Sequence, residues 1–179
     1  MCAIDYAAIK LLVLDVDGVL TDGRIILTPD GQEIKAFHAH DGAGMKYWKR
    51  AGGKLAIITG RGSPAVLRRA EELGVDAVRL EAKDKLPAYE SVLAELGLTP
   101  QQTAVVGDDL TDLPLMLRCG FPAAVADAVE EVKRAAAYVT HLGGGAGAVR
   151  EVIELVLKSA GGWGAITARY VPSKPERSG

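Results

Sequence analysis

The stretch IKLLVLDVDGVLTDG (residues 9–23) decides the reading of this chain. Its first six residues, IKLLVL, are apolar except for Lys10, and a short run of this kind reads as a buried β-strand. Two aspartates, Asp15 and Asp17, stand where the strand should end, and Asp22 follows. Carboxylates this close repel one another, and burying them costs several kcal/mol unless a cation or hydrogen bonds compensate. The question is what compensates here.

The whole chain narrows the answer. Its 179 residues fit one domain with a sizeable core. Hydrophobic residues make up 49% and charged residues 25%, as in an ordinary globular protein. A net charge of −2 provides no basic field for nucleic acid, and an aromatic content of 5% provides few stacking surfaces. No apolar stretch reaches the length of a membrane span, and the first residues, MCAIDYAAIK, do not follow a secretory-signal pattern. Cys2 and Cys119 form neither a metal-type spacing nor a disulfide framework, so a cytoplasmic protein is expected.

Outward from the opening stretch, β-type runs alternate with helical segments. The runs are 54–59, 76–80, 103–107, 122–126 and 138–140. The segment 64–74 carries Pro64 behind Ser63 and ends at Gly74, while 86–97 has an early proline and ends at Gly97. In 146–158, Val149, Val152, Ile153, Val156 and Leu157 form one apolar stripe. This rhythm predicts an α/β fold: a mostly parallel sheet between helix layers, Rossmann-like, with ligands at the carboxyl ends of the strands. Residues 24–39 break the rhythm. Two β-type runs flank Pro29-Asp30-Gly31, which predicts an inserted β-hairpin. Its Ile25, Ile26, Leu27, Ile34 and Phe37 are too apolar for a free flap, so the hairpin covers the site or pairs with another subunit. The expected organisation is a single domain over 1–160, without room for a cap domain, and a tail over 161–179 rich in Gly, Ser and Pro.

The glycine-rich segments carry no nucleotide motif. Gly18 and Gly23 have P-loop spacing, but Arg24-Ile25 follow in place of Lys-Ser/Thr. GGGAG (143–147) reads as a tight turn. The strand ends are more informative. One ends in Asp15-Val16-Asp17, another in Thr59-Gly60-Arg61, and a third in Gly107-Asp108-Asp109, with Asp112 close behind. If these strands are neighbours, Asp15, Asp17 and Asp108 share one rim, where hard oxygen ligands suit Mg2+. The cation answers the opening question, because it keeps liganded carboxylates ionised. A Mg2+–carboxylate rim with a threonine hydroxyl, backbone amides and a lysine suits phosphoryl transfer. Lys85 is a candidate because a cation at a helix start is unfavourable for the dipole; Lys83 competes with it. Asp22 and Asp30 read as turn residues, and Asp112 as either a cap or a support for the rim.

DVDGVLTD (15–22), ITGR (58–61), Lys85 and GDDLTD (107–112) resemble, in order and spacing, the four motifs of the haloacid dehalogenase (HAD) superfamily phosphatases. Within it, DGVLTDG, the hairpin, FHAHDGAGMK (37–46), VGDDLTDLPLM (106–116) and GGGAGAVREV (143–152) resemble the 3-deoxy-D-manno-octulosonate (KDO) 8-phosphate phosphatases of lipopolysaccharide precursor synthesis. The resemblance covers roughly residues 8–158 and implies a capless, Mg2+-dependent homotetramer in which hairpins meet. It implies Asp15 as nucleophile and metal ligand, Asp17 as general acid/base with its carbonyl on the metal, and Asp108 as second carboxylate ligand. It implies Thr59, the Gly60 amide and Lys85 as phosphate-binding groups, oriented with help from Asp109 and Asp112. Arg61 and His40 are candidate substrate contacts; His40 stands where the family usually has arginine, and the tail is longer than usual. The expected reaction is hydrolysis of an acidic sugar phosphate, KDO 8-phosphate first. The alternatives are a nonulosonate 9-phosphate or broad-specificity sugar phosphatase and, in another class, a non-catalytic metal-binding regulatory oligomer.

Overall fold

The computed structural model describes residues 4–171. Strand β1 (Leu11–Leu14) is buried along its whole length, as a strand covered on both faces must be. It pairs in parallel with β4 (Lys54–Ile58) on one side and β6 (Thr103–Gly107) on the other. With β5 (Ala77–Arg79), β7 (Phe121–Ala124) and β8 (Tyr138–Val139), the sheet order is β5-β4-β1-β6-β7-β8, with every pairing parallel. The chain moves outward from β1 through β4 to β5, then crosses back to β6. The strand order therefore reverses at β1, the point where open α/β sheets hold ligands.

The helices obey their sequence signals. Helix α2 (Pro64–Leu73) starts behind Ser63 and ends at Gly74 in the left-handed conformation; α3 (Lys85–Leu96) ends the same way at Gly97. In α6 (Ala148–Ser159) the predicted stripe is buried, and Glu154 pairs with Lys158 at 2.5 Å on the outer face. Short helices α4 (Leu113–Met116) and α5 (Glu130–Ala135) complete the connections. Among the described residues, no helix is long and apolar enough to cross a membrane.

Three elements differ from expectation. Helix α1 (Ala39–Arg50) lies where the sequence suggested no helix, because Gly42 and Gly44 weaken its propensity. Packing overrides that cost: a Cβ on Gly44 would sit 2.8 Å from Arg150 Cδ, so the glycine lets α1 close on α6. The hairpin is shorter than 24–39. Only β2 (Ile26–Leu27) and β3 (Glu33–Ile34) pair, antiparallel, around the Asp30-Gly31 turn, and Ala39 already belongs to α1. Order also continues past residue 160. Helix α7 (Trp163–Thr167) buries Ile166, and Arg150 stacks its guanidinium over the Tyr47 and Trp163 rings at 4.6 and 5.3 Å. The last eight residues of the predicted tail lie outside the described residues.

Candidate active site

The carboxyl ends of β1, β4 and β6 open into a cavity of about 380 Å3. Asp15, Asp17, Thr59, Gly60, Arg61, Lys85, Asp108 and Asp109 all line it. The parallel register of three adjacent strands brings together residues 93 positions apart in sequence, since Leu14 stands between Ile57 and Val106. Asp15 and Asp108 each directly follow or lie just beyond these paired positions, so the strand tips aim them at one point.

The chain turns away from Asp17 through Gly18, whose φ is +95°. A Cβ there would fall 2.1 Å from Asp108 Oδ2, so glycine is what lets the first loop lie against the β6 carboxylate. The GGGAG turn backs this loop: a Cβ on Gly144 would meet the Gly18 carbonyl oxygen at 1.8 Å.

Lys85 resolves part of the repulsion. Its ammonium donates to Asp112 Oδ1 at 2.7 Å and pairs with Asp15 Oδ1 at 2.9 Å, with its side chain 2% exposed. Burial works against the charged amine, but Asp15 and Asp112 outweigh it and hold the lysine above its usual pKa. Lys83 lines the same cavity but is exposed, whereas Lys85 is buried against Asp15 and Asp112. Asp112 is both cap and support. Its Oδ2 accepts from the Asp108 and Asp109 amides at 3.1 and 3.4 Å, while its Oδ1 accepts from Lys85. Asp112 thus locks the loop that carries Asp108.

One lysine does not neutralise three carboxylates. Asp15, Asp108 and Asp112 offer oxygens within 4.8 Å of one another. The buried Asp108 Oδ1 has no hydrogen-bond partner, and the buried Asp15 Oδ1 has only the Lys85 ammonium beside it, at 2.9 Å. Burial pushes Asp15 up to about 6 against the pull of Lys85. Burial, then the charges of Asp15 and Asp112, push Asp108 up to about 8. The set of hard, under-satisfied oxygens fits a divalent cation such as Mg2+. Asp112 already accepts from Lys85 and two amides, whereas Asp108 Oδ1 accepts from none.

Both raised values lie above the ordinary carboxylate value of 3.8. From pH 4 to 8 the folded protein therefore keeps protons that the unfolded chain has lost, and this pair's contribution to stability falls as pH rises. The melting temperature of chelator-treated protein is expected to fall between pH 5 and pH 8. Mg2+ should raise it more at pH 8 than at pH 5, as differential scanning calorimetry would register. Equal Mg2+ shifts at both values would contradict this account.

Asp17 points elsewhere. Its Oδ1 accepts from Lys35 Nζ at 2.5 Å, and its Oδ2 lies 3.7 Å from Arg61 Nε. Thr59 is buried at the tip of β4, and its Oγ1 accepts from the Arg61 amide at 3.4 Å, so hydroxyl and amide share one small turn. Asp22 holds the Arg24 amide at 3.2 Å and Asp30 is bonded to Thr28 at 2.5 Å, both as turn residues. His40 is not brought in. It is exposed in the first turn of α1, edge-on to His38 at 5.1 Å, and does not line the cavity of this chain. Thr111, Lys35 and Glu33 were missed by sequence reasoning. For the last two the signal was available: exposed Ile34 lies between them, and alternation in a strand puts its neighbours on the opposite face.

The fold and this four-segment acidic site define a HAD-like hydrolase, and residues 78–152 match the family model described as haloacid dehalogenase-like hydrolase. The chain is 44% identical over 153 residues to the 3-deoxy-D-manno-octulosonate 8-phosphate phosphatase of Salmonella typhi, covering 86% of this chain and 81% of that one. By this measure it belongs to the family of 3-deoxy-D-manno-octulosonate 8-phosphate phosphatases. The fold matches the Moraxella catarrhalis phosphatase of that name, solved with magnesium, phosphate and KDO, at 42% identity and a TM-score of 0.90, over 93% of this chain and 95% of the other. It also matches the cobalt-bound Haemophilus influenzae phosphatase, at 40% identity and a TM-score of 0.84, over 87% and 91%.

Proposed function

We propose that the chain is a Mg2+-dependent phosphomonoesterase that hydrolyses KDO 8-phosphate to KDO and inorganic phosphate. The observation that carries the reading is the convergence of Asp15, Thr59, Lys85 and Asp108 on one cavity, in a chain of this family. Asp15 is the nucleophile. Its carboxylate attacks phosphorus, the ester oxygen leaves with the sugar, and an aspartyl-phosphate forms on Asp15. Asp17 gives a proton to the departing sugar oxygen and later takes one from the water that cleaves the aspartyl-phosphate. Thr59 Oγ1, the Gly60 amide and the Lys85 ammonium hold the phosphoryl oxygens. Asp15, the Asp17 carbonyl and Asp108 hold Mg2+, which when bound offsets the charge between two anionic reactants. Asp109 and Asp112 shape the Asp108 loop, and Arg61 at the mouth is available to an acidic substrate.

Environment separates the two aspartates of DVD, as the roles require. Asp15 is buried against Lys85, whereas Asp17 is paired with Lys35 outside the carboxylate cluster. A kinetic comparison tests the substrate. With Mg2+ present, kcat/KM for KDO 8-phosphate should exceed that for a nine-carbon nonulosonate 9-phosphate by roughly tenfold or more, an added carbon in a shaped pocket being worth about 1–3 kcal/mol. The reverse preference would replace the KDO assignment. Failure to hydrolyse even an aryl phosphate would favour a regulatory role.

The exposed hairpin supports a reading of the oligomer. Ile25, Ile26, Leu27 and Ile34 are 46%, 44%, 63% and 50% exposed. A short apolar hairpin with open edges invites association, and the reading is a homotetramer with hairpins at its centre. Light scattering at micromolar concentration should give four times the chain mass, and replacing Ile26 and Leu27 by Ser should lower it. A wild-type monomer would refute this assembly.

A further inference from the structure

We infer that Lys35 is a positioning residue for turnover: carried by the hairpin, it holds the Asp17 carboxylate in place and so makes catalysis depend on where the hairpin sits. This rests on the reading of Asp17 as the proton-transfer group.

β3 places Ile34 outward at 50% exposure, so Glu33 and Lys35 turn inward by alternation. The Lys35 side chain, directly after the two-residue strand β3, is 1% exposed, unusual for a lysine at the surface. Its Nζ donates to Asp17 Oδ1 at 2.5 Å and lies 3.3 Å from Glu33 Oε1. Arg61 closes the ring, donating to Glu33 Oε1 at 2.8 Å and standing 3.7 Å from Asp17 Oδ2. Two acids and two bases alternate, so the net charge is zero and each buried group has a partner of opposite sign.

The ring also anchors the hairpin. Among the described residues, its hydrogen bonds to the rest of the domain run through Glu33 and Lys35. The remaining ones, such as Thr28 to Asp30 and Gln32, stay inside the hairpin or its approach. The contact that fixes Asp17 is therefore the contact that fixes the hairpin. With Lys35 shortened or uncharged, Asp17 loses the one hydrogen bond made to its side chain, and its other oxygen already has none. A carboxylate so released samples other rotamers, and a proton donor misplaced by about 1 Å costs turnover, not binding.

The test compares K35M, K35R, D17N and K35M/D17N in the full chain with Mg2+, on KDO 8-phosphate and on 4-nitrophenyl phosphate. K35M should lower kcat by about 10–100-fold, the usual cost of losing the group that orients a functional side chain. KM should stay within about threefold, because Lys35 does not touch substrate. K35R should recover most of the loss. In the D17N background, K35M should cost no further than about twofold, since its effect runs through Asp17. Thermal unfolding is recorded for each variant, and K35Q replaces K35M if the latter does not fold. A raised KM with unchanged kcat, or multiplicative losses in the double variant, would overturn the inference while leaving Asp17 in its role. Wild-type turnover by D17N would overturn the Asp17 reading and the inference with it.

Discussion

Replacing Asp15 by Asn is expected to lower kcat by roughly 10^4-fold or more, while the chelator-treated protein becomes more stable at pH 8. The two effects have one origin. The Asp15 carboxylate supplies the attacking oxygen, and an amide in its place cannot form the acyl phosphate. The same carboxylate is buried and raises the pKa of Asp108. Removing its charge relieves that repulsion, and Lys85 keeps its 2.7 Å hydrogen bond to Asp112. A residue present for structure would show the opposite pairing, with lost stability and retained turnover. Phosphate release and thermal unfolding on one preparation decide the matter. Activity within tenfold of wild type would move the nucleophile elsewhere.

Lys85→Met should damage both properties. The ammonium is the cation buried among Asp15, Asp112 and the nearby Asp108. Its removal leaves uncompensated carboxylates, and breaking a buried pair costs about 3 kcal/mol or more. For a chain of this size that lowers the melting temperature by roughly 6–12 °C. Loss of a cation aimed at the phosphoryl group should reduce kcat by about 10²–10³-fold. The control is K83M. Lys83 lines the same cavity but is exposed and unpaired with the aspartates, so its replacement should leave the melting temperature unchanged. Equal effects of the two substitutions would mean that the buried ion pair has been given the wrong importance.

These expectations rest unevenly on sequence. Much of the fold was legible in it because the signals are local. A buried strand shows as an unbroken apolar run, a helix as a stripe at 3.6 spacing, and their ends as Pro64, Gly74 and Gly97. Helix α1 was not legible, since Gly42 serves close contact with α2 and Gly44 with α6, and a propensity argument reads them as breakers. The extent of the hairpin was overestimated for a similar reason. Residues 35–38 have strand-like composition, but no partner strand lies opposite them.

By itself, the sequence determined the α/β class, the acidic tips of three strands, and a motif set specific enough to imply phosphoryl transfer. Each depends on residues close in the chain or on their order. Tertiary structure alone decided which groups meet. It put β1 between β4 and β6, paired Lys85 rather than Lys83 with the buried aspartates, gave Asp112 to the Asp108 loop, and brought Lys35 across from the hairpin to Asp17. The charge pairs among them, Lys35–Asp17, Lys85–Asp112 and Lys85–Asp15, join residues 18, 27 and 70 positions apart. Their energies depend on distance and burial, which no local pattern encodes. DVDGVLTDG announces that carboxylates must be compensated, and the folded chain specifies by what.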